Sequence, residues 1–113
     1  MNLKSENRSY PRAAANMEVT YVDDSSPQPN YAQTRDFSAT GISFPVTKKY
    51  EKGDMLTLEI NIPEITKVIK SRATVVRNWH EGDTNYVSVQ FFDIAYHDFI
   101  YLLDYSLTYH IEV

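Results

Sequence analysis

The clearest order in this chain is alternation. Over Met55–Ile62 the apolar residues Leu56, Leu58, Ile60 and Ile62 fall at every second position, which predicts a β-strand with those four side chains on one face. Tyr86–Phe91 repeats the pattern, with Val87, Val89 and Phe91 inward. Met17–Val22 predicts a first strand, with Met17, Val19 and Tyr21 on one side. Val68–Arg77 predicts a further strand whose alternation is less regular, as in a bulged strand.

The separators are turn-forming. Asp23–Asn30 is polar and carries Pro27 and Pro29, which lack the N–H that a ladder needs, so this segment is expected to lie outside any sheet. Lys52-Gly53-Asp54 predicts a compact turn, and Glu81-Gly82-Asp83 the turn that closes a hairpin. The period then changes. In Tyr96–Leu107 the residues Phe99, Ile100, Leu102, Leu103 and Leu107 follow three-and-four spacing, which predicts a helix with Asp98 and Asp104 toward solvent. Regularly spaced strands followed by one amphipathic helix predict an all-β fold with a C-terminal helix, a small antiparallel barrel on which that helix packs.

A length of 113 residues suits a single domain, and a 42% hydrophobic, 23% charged composition suits a soluble globular one. The net charge of -4 disfavours a duplex nucleic-acid partner. Locally the balance reverses, since residues 1–16 carry Lys4, Arg8 and Arg12 against Glu6 alone. With few apolar groups, residues 1–16 are expected to form a flexible, mildly positive arm, and residues 17–113 the folded body. The absence of cysteine excludes a disulfide framework, a cysteine zinc site and a thiol nucleophile. The polar start MNLKSENRSYPR lacks the apolar core of a signal peptide, and no run has the length of a membrane span, so a cytoplasmic protein without membrane insertion is expected. His80, His97 and His110 have no spacing suited to a shared metal, and Ser38 has neither a nucleophile-elbow context nor a histidine partner, so no metal, cofactor or enzymatic activity is expected.

Two short motifs carry the candidate chemistry. Arg8-Ser9-Tyr10-Pro11-Arg12 sets two guanidinium forks on a segment that Pro11 keeps from being helical. Such a fork pairs bidentately with guanine O6 and N7 or with phosphate, and stacks on a purine face. Alone, the pair reads as ordinary solvated charge. Asp36-Phe37-Ser38-Ala39-Thr40-Gly41 offers a carboxylate for the guanine N1 and N2 donors, a hydroxyl, and a glycine that permits close backbone approach or positive φ. Alone, it reads as a tight turn between strands.

In this order and on this strand pattern, the two motifs resemble the signature of the PilZ domain family, Arg-x-x-x-Arg followed by Asp/Asn-x-Ser-x-x-Gly. The resemblance extends to Gly53-Asp54-Met55-Leu56-Thr57-Leu58, to Ala73-Thr74-Val75-Val76-Arg77 and to Val87-Ser88-Val89-Gln90-Phe91-Phe92-Asp93-Ile94, where Ser88 replaces a glycine usual in the family. It implies a six-stranded antiparallel barrel with a terminal helix, and cyclic di-GMP as ligand. It also implies that Arg8 and Arg12 clasp guanine and phosphate from the arm, while Asp36, Ser38 and Gly41 form the barrel-side half of the site. Arg77 and Trp79 are implied as additional ligand contacts, Trp79 by base stacking. The implied function is a non-enzymatic cyclic di-GMP sensor or adaptor that orders its arm on binding and signals to a protein partner. The alternative is a protein-interaction module that keeps the fold without binding nucleotide. A single-strand nucleic-acid barrel is disfavoured by the acidic balance.

Overall fold

The structure, a computed structural model, describes residues 16–62 and 67–108. Arg8 and Arg12, and with them the arm expected over residues 1–16 apart from Asn16, lie outside the described residues. The elements in chain order are β1 (Glu18–Asp23), β2 (Ser26–Gln33), β3 (Asp36–Phe37), β4 (Gly41–Val46), β5 (Met55–Ile62), β6 (Lys67–Glu81), β7 (Thr84–Phe91) and α1 (Tyr96–Thr108). The strands form one antiparallel sheet in the order β2-β1-β5-β6-β7-β4-β3.

Alternation decides which face becomes the core. Leu56, Leu58, Ile60 and Ile62 are all buried, as are Val19 and Tyr21 of β1 and Val87, Val89 and Phe91 of β7. With Phe37, Ile42, Phe44, Ile69, Ala73 and Val75 they make one continuous core. Truncating a fully buried member such as Leu58 to alanine costs about 2–5 kcal/mol. Gly53 and Gly82 sit at positive φ, 92° and 59°, in the two turns that the Lys52–Asp54 and Glu81–Asp83 triplets predict.

The all-β architecture with a terminal helix is the one expected, but strand number and closure differ from a six-stranded closed barrel. Among the described residues seven strands are present, and their hydrogen-bonded ladder does not close. One departure is β2, which includes the Pro27 and Pro29 segment expected to stay outside the sheet. It is tolerated because β2 is an edge strand: among the described residues it pairs only with β1, both prolines are exposed, and an edge has a side on which a missing N–H costs nothing. The sheet nevertheless curls. Thr34 N–H donates to Met17 O at 2.8 Å, and the next residue, Arg35, donates its N–H to Ser43 O of β4 at 2.8 Å. Adjacent residues thus stitch the two ends of the ladder toward each other.

The bulge expected in the long strand is real and falls at Val76, where the β6–β7 register shifts between Val75 and Arg77. Helix α1 seats Leu102 in the core and lays the Tyr105 ring against Phe37, centroids 5.4 Å apart. Asp104 is exposed as expected, but Asp98 is not: it is buried, its Oδ1 3.0 Å from Lys67 Nζ and 3.4 Å from His97 Nε2. The strand residue Lys67 supplies the countercharge that draws this carboxylate inward, and its place in the first helical turn suits the helix dipole. Among the described residues no helix is long and apolar enough to cross a membrane.

Candidate functional site

Four strands place a row of polar residues on the outer face of the sheet. Asp36 of β3 pairs with Ser43 of β4, Ser43 with Ser88 of β7, and Ser88 with Arg77 of β6. The inner face directly beneath carries Phe37, Ile42, Val89 and Val75, all buried. The row depends on the bulge. Ala73 and Val75 point inward, so strict alternation would turn Arg77 inward too; the extra residue Val76 resets the phase and brings Arg77 and Trp79 outward beside Asp36.

Arg35, Asp36, Ser43, Val76, Arg77, Trp79, Glu81 and Ser88 line one open depression of about 400 Å³. Its charged groups are two arginines and two carboxylates. The Arg77 guanidinium carbon lies 4.4 Å from the Trp79 ring centroid. Trp79 stacks on its cross-strand partner Tyr86 with centroids 5.5 Å apart and an 11° interplanar angle. Arg35 in turn lies 5.3 Å over the Tyr86 ring. Glu81 Oε2 accepts from Arg35 Nη1 and, at 3.1 Å, from Trp79 Nε1. The bond to Arg35, then the one to Trp79, hold the Glu81 carboxyl below its ordinary range, and the same ion pair raises Arg35 further.

Of the sequence-predicted site residues, Asp36, Arg77 and Trp79 come together in this depression. Ser38 stands in the adjoining β3–β4 turn, and Gly41 opens β4 directly after it. Ser38 is buried, its Oγ accepts from Thr40 N–H at 3.2 Å, and its own N–H donates to Gly41 O at 2.8 Å. Gly41 is needed for close approach and not for positive φ: a Cβ there would meet Val89 O at 2.1 Å. Arg8 and Arg12 lie outside the described residues. Ser88, in the place of the usual glycine, adds a hydroxymethyl group to the middle of the row.

Arg35, Ser43, Tyr86 and Glu81 complete the face without belonging to either motif. The Glu81-Gly82-Asp83 turn contained the signal for two of them, because it sets the register that pairs Glu81 with Thr84 and Trp79 with Tyr86. Among the described residues no group of three or more His, Cys, Asp or Glu side chains could hold a metal ion.

An open antiparallel sheet with a terminal helix and a polar, arginine-bearing outer face defines the class, and the comparisons with known proteins define the family. The chain matches the PilZ domain over residues 6–107, and it belongs to the PilZ domain family. Among solved structures it is similar to the inhibitor of motility MotI/DgrA of Bacillus subtilis, with a TM-score of 0.81 at 24% identity over 89% of this chain and 50% of that one. It is also similar to the PilZ domain of YcgR from Escherichia coli, solved with c-di-GMP, with a TM-score of 0.68 at 15% identity over 90% of both chains. The PilZ domain of CeSA from a cellulose-synthesizing bacterium gives a TM-score of 0.64 at 14% identity, over 86% of this chain and 97% of that one. The chain spans about half the length of the Bacillus protein. No curated protein matches it significantly by sequence.

Proposed function

We propose that this PilZ domain is a non-enzymatic receptor for cyclic di-GMP, an adaptor that passes the signal to a protein partner. The observation that carries the reading is the outer-face row Asp36–Ser43–Ser88–Arg77, with the Trp79 ring beside it, at the foot of the Asp-x-Ser-x-x-Gly turn. Asp36 would accept from guanine N1 and N2, and Arg77 would meet a phosphate or a guanine edge. Trp79 already packs against Arg77 and Tyr86, so a base that stacks on the indole takes the place of one of them.

The same geometry favours a contribution from Arg8 and Arg12. The two arginines of the depression are offset by Asp36 and Glu81, so a cyclic dinucleotide with two phosphates needs further cations. Met17 is pinned next to this edge, its N–H donating to Thr34 Oγ1 at 2.9 Å while its carbonyl accepts from Thr34 N–H. Thr34 lies two residues before Asp36. Arg12 precedes Met17 by five residues, an extended reach of up to about 17 Å, which is ample to cross from there to the row. The arm over residues 1–16 and the body over residues 17–113 would then act as two jaws, the arm ordering on the ligand.

Isothermal titration with cyclic di-GMP tests the reading, with folding confirmed by circular dichroism. Saturable binding supports it, and a folded protein that takes up no nucleotide rules it out. One observation favours the alternative, an interaction module that does not bind nucleotide. Tyr96, Ile100, Tyr101 and Leu107 of α1 are all exposed, and Tyr96 is 78% accessible. In that case partner binding would be indifferent to Arg12 and Asp36.

A further inference from the structure

Arg35 lies in neither signature motif, yet its backbone and its side chain are both held on this face. Its backbone N–H is tied to Ser43 O, its guanidinium lies over Tyr86, and its Nη1 donates to Glu81. One oxygen, Glu81 Oε2, serves both Arg35 and the Trp79 indole N–H. We infer that Arg35 is an additional phosphate-binding residue of this face and that Glu81 occupies it beforehand as an internal stand-in, releasing Arg35 to the nucleotide. The inference rests on the cyclic di-GMP reading and goes beyond it, by adding a cation outside the family signature and an acid that competes with the ligand.

Three physical points support the exchange. The Arg35 and Glu81 side chains are 47% and 49% exposed, and an ion pair so open to water holds its partners weakly. A guanidinium fork meets a phosphate bidentately, which is stronger than the single contact seen with Glu81, so the exchange runs toward the ligand. Glu81 ends β6 at the Gly82 turn, so its side chain can turn away without breaking the interior of the ladder. Glu81 is an ionised carboxylate, and so a competitor, at neutral pH, and its hydrogen bonds move it further below the ordinary carboxyl range.

A double-mutant cycle read by isothermal titration with cyclic di-GMP tests this. Glu81→Gln removes the charge and keeps an acceptor for the Trp79 indole. It is expected to tighten binding about two- to fivefold, the scale of a surface ion pair. Arg35→Ala is expected to weaken binding roughly tenfold. The decisive arm is the double variant, in which Glu81→Gln should bring no gain once Arg35 is absent. A gain of equal size in the Arg35→Ala background would show that Glu81 acts on the ligand by general repulsion, and would overturn the inference. So would wild-type affinity in both single variants, with the cyclic di-GMP reading left standing. A folded wild-type protein that binds no cyclic di-GMP would remove that reading and this inference together.

Discussion

Gly41 and Val89 touch so closely across β4 and β7 that a Cβ on Gly41 would lie 2.1 Å from the Val89 carbonyl oxygen. The glycine of the Asp-x-Ser-x-x-Gly motif is therefore required by the sheet itself. The atom in the way is backbone, which has no rotamer to escape into. Gly41→Ala should cost about 3 kcal/mol or more, by forcing β4 away from β7. Thermal unfolding followed by circular dichroism should show a midpoint lower by roughly 10 °C or more. An unchanged midpoint would mean that the strands part without cost.

Ser38 stands three residues earlier, in the β3–β4 turn. Its buried Oγ accepts from Thr40 N–H and lies 3.2 Å from Thr40 Oγ1. Ser38→Ala should therefore lower stability by about 1 kcal/mol even in the absence of ligand. Urea denaturation of the unliganded protein measures this. A variant as stable as wild type would leave ligand contact as the main role of the hydroxyl.

The other end of the sheet predicts a pH dependence. Asp23, in the β1–β2 turn, accepts from Ser25 N–H and Oγ and from Ser26 N–H through Oδ1, and from the Tyr50 hydroxyl at 2.6 Å through Oδ2, with Lys48 Nζ 3.2 Å away. The Ser25 hydroxyl and then the Tyr50 hydroxyl hold its carboxyl far below the usual range. A depressed folded-state pKa means that the unfolded chain takes up the proton first. The contribution is complete above about pH 4 and is lost as pH falls below it. Asp23→Asn should cost about 1–2 kcal/mol at pH 7, with the difference from wild type shrinking toward pH 2. Denaturation midpoints across pH 2–7 read this directly, and parallel curves for the two proteins would exclude the carboxylate as the cause.

Much of the body was legible from residue pattern. The β5 and β7 alternations read cleanly because both strands bury one face against a single core, and α1 because its period is helical over three turns. What escaped was set by position in the sheet, which local pattern does not encode. Pro27 and Pro29 argue against a strand unless that strand is an edge, and β2 became an edge only through the pairing order of the whole sheet. Asp98 looked solvent-facing because its countercharge, Lys67, is 31 residues away in sequence. The proximity of Asp36 and Arg77 was legible only in part: the motif marks Asp36, but Arg77 reaches the same outer face through the bulge at Val76, which alternation alone does not place. Arg35 and Glu81 were not legible, since their pairing spans 46 positions and depends on the curl that carries Arg35 toward the β6–β7 hairpin.

The single tryptophan gives an independent view of the site. Trp79 contacts Arg77, Tyr86 and Glu81 together, so a ligand seated in the depression should change its emission. A fluorescence titration with cyclic di-GMP should saturate with the same midpoint as the calorimetric one. Calorimetric binding with a silent tryptophan would place the nucleotide away from this face.

The claim that an arginine arm and the β3 edge form two halves of one nucleotide site is tested most directly by isothermal titration of cyclic di-GMP into wild type, Arg12→Ala and Asp36→Ala side by side. Wild type should bind, and each variant, folded as judged by circular dichroism, should lose about 1–3 kcal/mol of binding free energy. A folded wild type without binding, or two variants that bind as tightly as wild type, would contradict it.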